Sequence, residues 1–567
     1  MKRIAMFVCI ALICAGIGRA AYRAVAPRDA VLSKFVPVGA LLYLEAKDFS
    51  SLLDDWNSSK QKKEWVQSDS YEVFSRSRLF LRLKGAGDQF AAAAGLPPDM
   101  DFLSQVAGKH SVLAVYDIGK LQFLYIAYLP SARSMQTKLW QTRAKFEPRS
   151  AGGVDFYLRR DSESQREVAF AVAGDYLLLA TREDSIADAL QLMSGKPDRT
   201  VESEQWWAQS IGAAGQAGDL RMVLDLQTLV PNGYFRTYWV QQNITDLSKY
   251  SAAVSDLFRS GNQYREERIL IQKKEPAHTP SPEALAAVAD LSNLVPDDAG
   301  LYVTSASPMA DACFALLETE LLAPHLGPAP LSQFAPQAQL TSGEQGSGSD
   351  LETRIDQARA ENTAARLSGS ELKVLLGKIP ILASLQVQST KRDKAGVFVR
   401  LHNVIVLTAA TDWNQSDVQS AIADFIRPGL TASQFGVGWQ PRSGFLQLDG
   451  LWPLSLAVRG KYLVVSDDAN LMEAVLANFG RKSNRKPADF LAGFNHQHER
   501  ANFERLASLI DRPNGVGIGA SADRQPQFFS GNMVSLSATL ADVSSEHIEI
   551  HSDGSRVRQT VTYEWSQ

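Results

Sequence analysis

The feature that most constrains this chain is a segment that occurs twice. Gly174-Asp175-Tyr176-Leu177-Leu178-Leu179-Ala180 precedes Ser185-Ile186-Ala187-Asp188-Ala189-Leu190. Gly460-Lys461-Tyr462-Leu463-Val464-Val465-Ser466 precedes Asn470-Leu471-Met472-Glu473-Ala474-Val475. Each copy reads as hairpin turn, strand, short turn and helix, with the glycine supplying a positive φ at the turn. Other landmarks recur in the same order. Phe35-Val36-Pro37 and Leu294-Val295-Pro296 each lead into a short apolar strand, Leu41-Leu42-Tyr43-Leu44 or Leu301-Tyr302-Val303. Gly108-Lys109 and Gly377-Lys378 each precede another, and the strand–helix stretch 121–146 is matched by Val404–Ile426. The landmarks drift apart along the chain, as duplication followed by loop insertion would leave them. Alternating hairpins and helices predict an α+β fold of two related halves, each a mainly antiparallel sheet with helices packed on it, here expected over one face. A single sheet shared by both halves fits the pattern equally well.

The expected domains follow. Residues 1–28 form a signal peptide or N-terminal membrane anchor, and 35–275 the first α+β half. Residues 276–292 are a Pro-rich linker with a short helix, and 293–567 the second half, with a flexible insert at about 324–350 rich in Pro, Gly, Ser and Gln. At 567 residues the chain has room for several domains, and its 45% hydrophobic content is that of a folded protein.

Lys2-Arg3 precede an apolar run from Ile4 to Gly18. That run matches the core of a secretory signal and is shorter than the roughly 20 residues that span a bilayer comfortably. Arg19, Arg23 and Arg28 follow it, so charge stands on both flanks and orientation is undecided. The expected location is the cell envelope, periplasmic or extracytoplasmic, with one N-terminal transmembrane helix as the anchored alternative. The expected partners are the membrane, through this segment, and a protein or apolar ligand. A net charge of −4 provides no drive toward nucleic acid.

Motifs that would carry chemistry are weak. Gly515-Val516-Gly517-Ile518-Gly519-Ala520 alternates glycine with apolar residues inside an expected strand, which suits close packing better than a phosphate loop. His547, Glu549 and His551 share one strand face and are the best candidate metal ligands, against the plainer reading of a polar outer face. His496-Gln497-His498-Glu499 has the wrong spacing for a helical metal motif. Asp54-Asp55, Asp297-Asp298 and Asp467-Asp468 sit beside expected helix starts or turns, where carboxylates cap. Cys313 is the one cysteine outside the N-terminal segment and reads as a buried helical side chain. Trp206, Trp207, Tyr234, Phe235, Tyr238 and Trp239 form an aromatic region that offers either core or a contact surface. No catalytic, cofactor-binding or metal-binding residue is assigned, and no cofactor is expected.

Phe35-Val36-Pro37, Ala40-Leu41-Leu42-Tyr43-Leu44-Glu45-Ala46-Lys47-Asp48-Phe49 and Leu52-Leu53-Asp54-Asp55-Trp56 together resemble the opening of a bacterial family described only as a domain of unknown function. That resemblance implies an N-terminal apolar segment before a large body, and it carries over no catalytic residue. The functional expectation is a membrane-associated or exported envelope protein that binds or scaffolds. The alternative is a hydrolase whose dispersed residues meet in a cleft between the halves.

Overall fold

The computed structural model describes residues 31–565 apart from 197–198, 237–243, 275–278, 323–370, 393–398, 431–437, 449–452, 482–484, 503–541. The N-terminal segment, the insert at 324–350, the stretch 351–367 (whose sequence reads as a polar helix), the stretch 533–540 (whose sequence reads as a strand), the glycines at 515–519, Tyr238 and Trp239 therefore lie outside the described residues. Two compact units result. The first takes the residues up to Ser59 and Arg76–Asp256; the second takes Lys60–Ser75 and everything from Leu257. The division falls inside a strand, ahead of the Pro-rich stretch expected to mark it.

In the first unit the strands are β1 (Leu42–Ala46), β2 (Ser111–Asp117), β3 (Gln122–Tyr128), β4 (Glu147–Ala151), β5 (Val154–Arg160), β6 (Glu167–Ala173), β7 (Tyr176–Ala180) and β8 (Leu220–Leu224). They pair antiparallel in the order β8–β1–β2–β3–β7–β6–β5–β4. Strand β9 (Tyr250–Ser260) crosses the division, and β10 (Gln263–Gln272) lies beyond it.

The second unit continues with β11 (Leu301–Ala306), β12 (Ile381–Arg392), β13 (Val399–Ala409), β14 (Trp439–Pro441), β15 (Leu446–Leu448), β16 (Leu454–Arg459), β17 (Tyr462–Ser466), β18 (Phe490–Asn495), β19 (Val543–Ser552) and β20 (Arg556–Trp565). These pair antiparallel as β10–β20–β19–β18–β11–β12–β13–β17–β16–β15–β14. From β18 to β14 this is the order of the first unit, strand for strand. The two halves share one strand order, and the fold is α+β with mainly antiparallel sheets. The repeated hairpin sits at the same place in both, with Gly174 at φ 57° and Gly460 at φ 56°. Even the closing edges match: β4 carries Pro148 and β14 carries Pro441, and proline, lacking an N–H, is tolerated on such edges.

Helices cover both faces of each sheet, not one. In the first unit α1 (Phe49–Ser58), α4 (Arg78–Ala94) and α5 (Met100–Val106) lie on the face carrying Tyr125, Phe170 and Leu179. The opposite face carries Tyr43, Val112, Ala114, Leu124, Ile126 and Leu178, all at most 1% exposed. There α7 (Gln205–Ala213) sets Trp207 edge-on against Tyr43 at 4.5 Å. Helix α6 (Glu183–Met193), with Ile186, Ala189 and Leu190 fully buried, lies near Tyr116 of the same face. In the second unit α8 (Pro282–Ser292) and α12 (Ala469–Ala477) close one core. On the other face, α9 (Ala310–Leu317), α10 (Glu371–Lys378) and α11 (Gln415–Leu430) close a second. Strands such as Glu167–Ala173 are apolar on both sides because both sides are dry.

Three other expectations need correction. Apolar spacing over 61–94 predicts two helices broken near Gly85-Ala86-Gly87. Instead α2 (Lys60–Val66) and α3 (Asp69–Ser75) precede an unbroken α4, capped by Ser77 at its start and ended by Gly95 at φ 71°. Residues 486–511 read as helical from the sequence, but 490–495 among them are strand β18. Residues 131–146, expected as one helix, are three separate turns.

Two stability predictions arise here. Gly85 is inside α4 with nothing within 4 Å of the position a Cβ would take. Gly85→Ala is expected to stabilise the protein by about 0.4–1 kcal/mol, read as a higher urea midpoint. Asp468 caps α12, accepting the Leu471 N–H at 2.8 Å and meeting Lys391 Nζ at 2.9 Å. Burial works to raise its pKa, but that N–H and Lys391 hold the carboxyl below the usual carboxylate range. A lowered folded pKa contributes stability above the unfolded value, and the contribution is lost as pH falls through the folded one. Asp468→Ala is therefore expected to cost about 1 kcal/mol at neutral pH, and the difference from the parent should close in acid.

Candidate functional site

The first unit holds a cavity of about 340 Å³ on the α4–α5 face of its sheet. Its floor follows from strand register. Leu44 pairs with Leu113, Leu113 with Tyr125 and Tyr125 with Leu179, so one side chain from each of β1, β2, β3 and β7 points the same way. Ala46, Ser111, Phe123 and Leu220 extend that surface. Phe49 of α1, Ala86, Gly87 and Phe90 of α4, and Phe102, Leu103 and Val106 of α5 form the roof. The small residues Ala86 and Gly87 fall where α4 crosses the space, which accounts for the glycine-rich stretch better than a helix break does.

Most polar groups at the walls are already engaged. Tyr125 Oη donates to Val106 O and contacts Ser111 Oγ, both at 3.1 Å, and burial pushes its pKa up to about 12. Thr181 Oγ1 accepts the Phe123 N–H at 2.9 Å. Arg166, half-buried at the end beside the β2–β3 turn, is the one charged side chain of the lining.

The related positions of the second unit differ in kind. The same pairings place Val303, Gln386, Ile405 and Val465 where the first unit has Leu44, Leu113, Tyr125 and Leu179. Ser305, Ser384 and Asn403 stand for Ala46, Ser111 and Phe123. Gln386 faces Asn403 at 3.5 Å, and Ser305 bonds Ser384 at 2.9 Å. An amide-bearing wall replaces the apolar one.

A second cavity, about 520 Å³ and polar, lies within the second unit between β11, β18 and β19. Arg485 donates to Tyr302 Oη at 3.0 Å, and His547 faces Gly493. Burial first, then Arg485, holds His547 below the usual histidine range, opposed by Glu564. Ser545 donates to Glu564 at 2.8 Å, not to His547.

The residues singled out in the sequence fall as follows. His551 pairs with Glu549 at 2.6 Å on the β19 face that also carries His547; among the described residues no group of three or more metal-ligating side chains converges. His498 contacts Glu499 at 2.9 Å, and His496 contacts Val543 O at 3.1 Å. Asp54 and Asp55 are not caps, because they lie inside α1, whose cap is Asp48. Asp468 is a cap, and its neighbour Asp467 accepts the Asn403 N–H at 2.7 Å. Asp297 is exposed and 3.7 Å from Arg481. Cys313 is buried in α9, and burial pushes its thiol up to about 12. Trp206, Trp207 and Phe235 are buried, whereas Tyr234 is exposed. Sequence reasoning missed the cavity because its walls come from eight separate elements.

No family model matches the chain, and no curated protein matches it. Solved structures of TP0453 in crystal forms III and I are similar at 11% identity and a TM-score of 0.23. The matches cover 45% and 44% of this chain and 84% and 82% of those chains. At that score the likeness supports no inference. Among the described residues no helix is long and apolar enough to cross a membrane.

Proposed function

We propose that this is a non-enzymatic binding protein of the cell envelope whose first unit takes an apolar, chain-like ligand under α4 and α5. The envelope placement rests on the Lys2-Arg3 and Ile4–Gly18 segment. The observation that carries the binding reading is the apolar cavity. The cavity opens to solvent, so its apolar walls are wetted when it is empty. An apolar occupant covers those walls at about 25 cal/mol per Å² removed from water, and the volume of about 340 Å³ lies at the small end of ordinary ligand sites, roughly 300–1,000 Å³. The amide-bearing wall of the second unit supports a division of labour in which one copy binds and the other has kept the fold alone.

The test is titration of the full chain with N-phenyl-1-naphthylamine, a neutral apolar fluorophore. Saturable enhancement at one site per chain is expected. A linear, non-saturating signal up to the probe's solubility limit would sink the reading.

A further inference from the structure

The cavity is apolar except at one end, where Arg166 lines it and Arg82, exposed and outside the lining, holds the neighbouring carbonyl of the same turn. Arg166 follows the β5–β6 turn and donates to Lys120 O and, at 2.8 Å, to Gln89 Oε1. Arg82 reaches down from α4, donates to Gly119 O and lies 5.8 Å from the Tyr234 ring centre. Both grip the turn between β2 and β3, beside Leu121 of the cavity wall. Their partners are neutral oxygens; among the described residues neither makes an ion pair. Three carboxylates of the adjoining strands and turns are engaged elsewhere. Asp117 accepts the Lys120 N–H at 2.9 Å, Asp161 accepts from Ser164, and Glu167 pairs with Arg160. Burial, and then the like charge of Arg82, lower the pKa of Arg166. Two cations beside an apolar space, with no anion supplied by the described residues, form a pair that an anionic ligand can meet.

We infer that the ligand is a single-chain amphiphile whose anionic head, a carboxylate or a phosphate monoester, is held by Arg166 and Arg82 while its chain lies under α4 and α5. The inference rests on the cavity being a binding site. Each guanidinium has N–H groups beyond those used on the turn, and its planar fork suits two oxygens of one head group. Leu121, Phe123 and Leu179 then receive the first part of the chain, and Phe102 and Val106 the rest. The arginines act by position as well as charge, since their bonds to Gly119 O and Lys120 O fix where the head stops.

The inference is tested by calorimetric titration of the full chain at neutral pH with dodecanoate, dodecyl phosphate and dodecanol. These probes share a chain and differ in the head. At least one anion is expected to bind about tenfold or more tightly than dodecanol, and the tighter anion names the head. Arg166→Gln and Arg82→Gln are each expected to lower anion affinity several-fold and leave dodecanol unchanged. Equal binding of all three probes to the parent overturns the head-group inference and leaves the cavity reading standing. Equal loss of dodecanol and anions in the variants also overturns it, because the arginines would then only brace the turn. Failure of every probe to bind the parent overturns the cavity reading itself.

Discussion

Asp256→Ala is expected to lower the stability of the first unit by about 3–5 kcal/mol. Asp256 and Arg221 are 4% and 8% exposed and form a two-pronged pair. Arg221 Nε reaches Oδ1 and Nη2 reaches Oδ2, each at 2.7 Å. Two further bonds hold the pair: the Gly218 N–H donates to Oδ1 and Arg221 Nη2 donates to Gly215 O. Removing the carboxylate leaves a buried guanidinium with one neutral acceptor, and desolvation of that charge sets the cost. The pair itself need not be strongly stabilising against an apolar replacement. The double variant Arg221→Met, Asp256→Leu should therefore recover most of the loss. Urea unfolding followed by far-UV circular dichroism measures both; a single variant within about 0.5 kcal/mol of the parent would contradict the burial argument.

Ala86→Trp is expected to abolish saturable N-phenyl-1-naphthylamine binding, a loss of a hundredfold or more in affinity. Ala86 lies on the cavity side of α4, where the indole projects into the space the probe would take. Helix propensity barely opposes the change, at about 0.5 kcal/mol, and new apolar contacts offset it. The variant should unfold at or above the urea concentration of the parent while binding nothing. Retained binding together with retained stability would place the probe elsewhere on the chain.

Much of the fold was legible because local signals agreed with it. Glycine at each repeated hairpin, Asp48 before α1 and the strand–helix order all predict the observed elements. The expectation of helices on one face failed, although Val168-Ala169-Phe170-Ala171-Val172 and Val404-Ile405-Val406-Leu407 lack the polar alternation of a half-wet strand. The strand Phe490–Asn495 reads as helix in the sequence because its five-residue apolar run, Phe490–Phe494, is too short for a period to separate strand from helix. Strand β4 left no apolar trace, since four of its five residues are exposed. The candidate site was not legible. Leu44, Leu113, Phe123 and Leu179 look like any core residues until register sets them side by side. The contrast with Gln386 and Asn403 has meaning only once the pairing shows which positions correspond.

Strand β10 ends the first half of the sequence and pairs with β20, which ends the second, over nine positions. The shift that carries turn glycine Gly261 onto Gly554 also carries Glu267 onto Thr560, and those two residues face each other at the middle of the ladder. The ladder is thus self-complementary: each strand offers the other the edge that it needs itself. A chain cut short before Arg556 would leave β10 with an open, in-register template whose best match is another copy of β10. Such a truncation should pair with itself or aggregate, so the two halves are not separable reagents even where each has its own core.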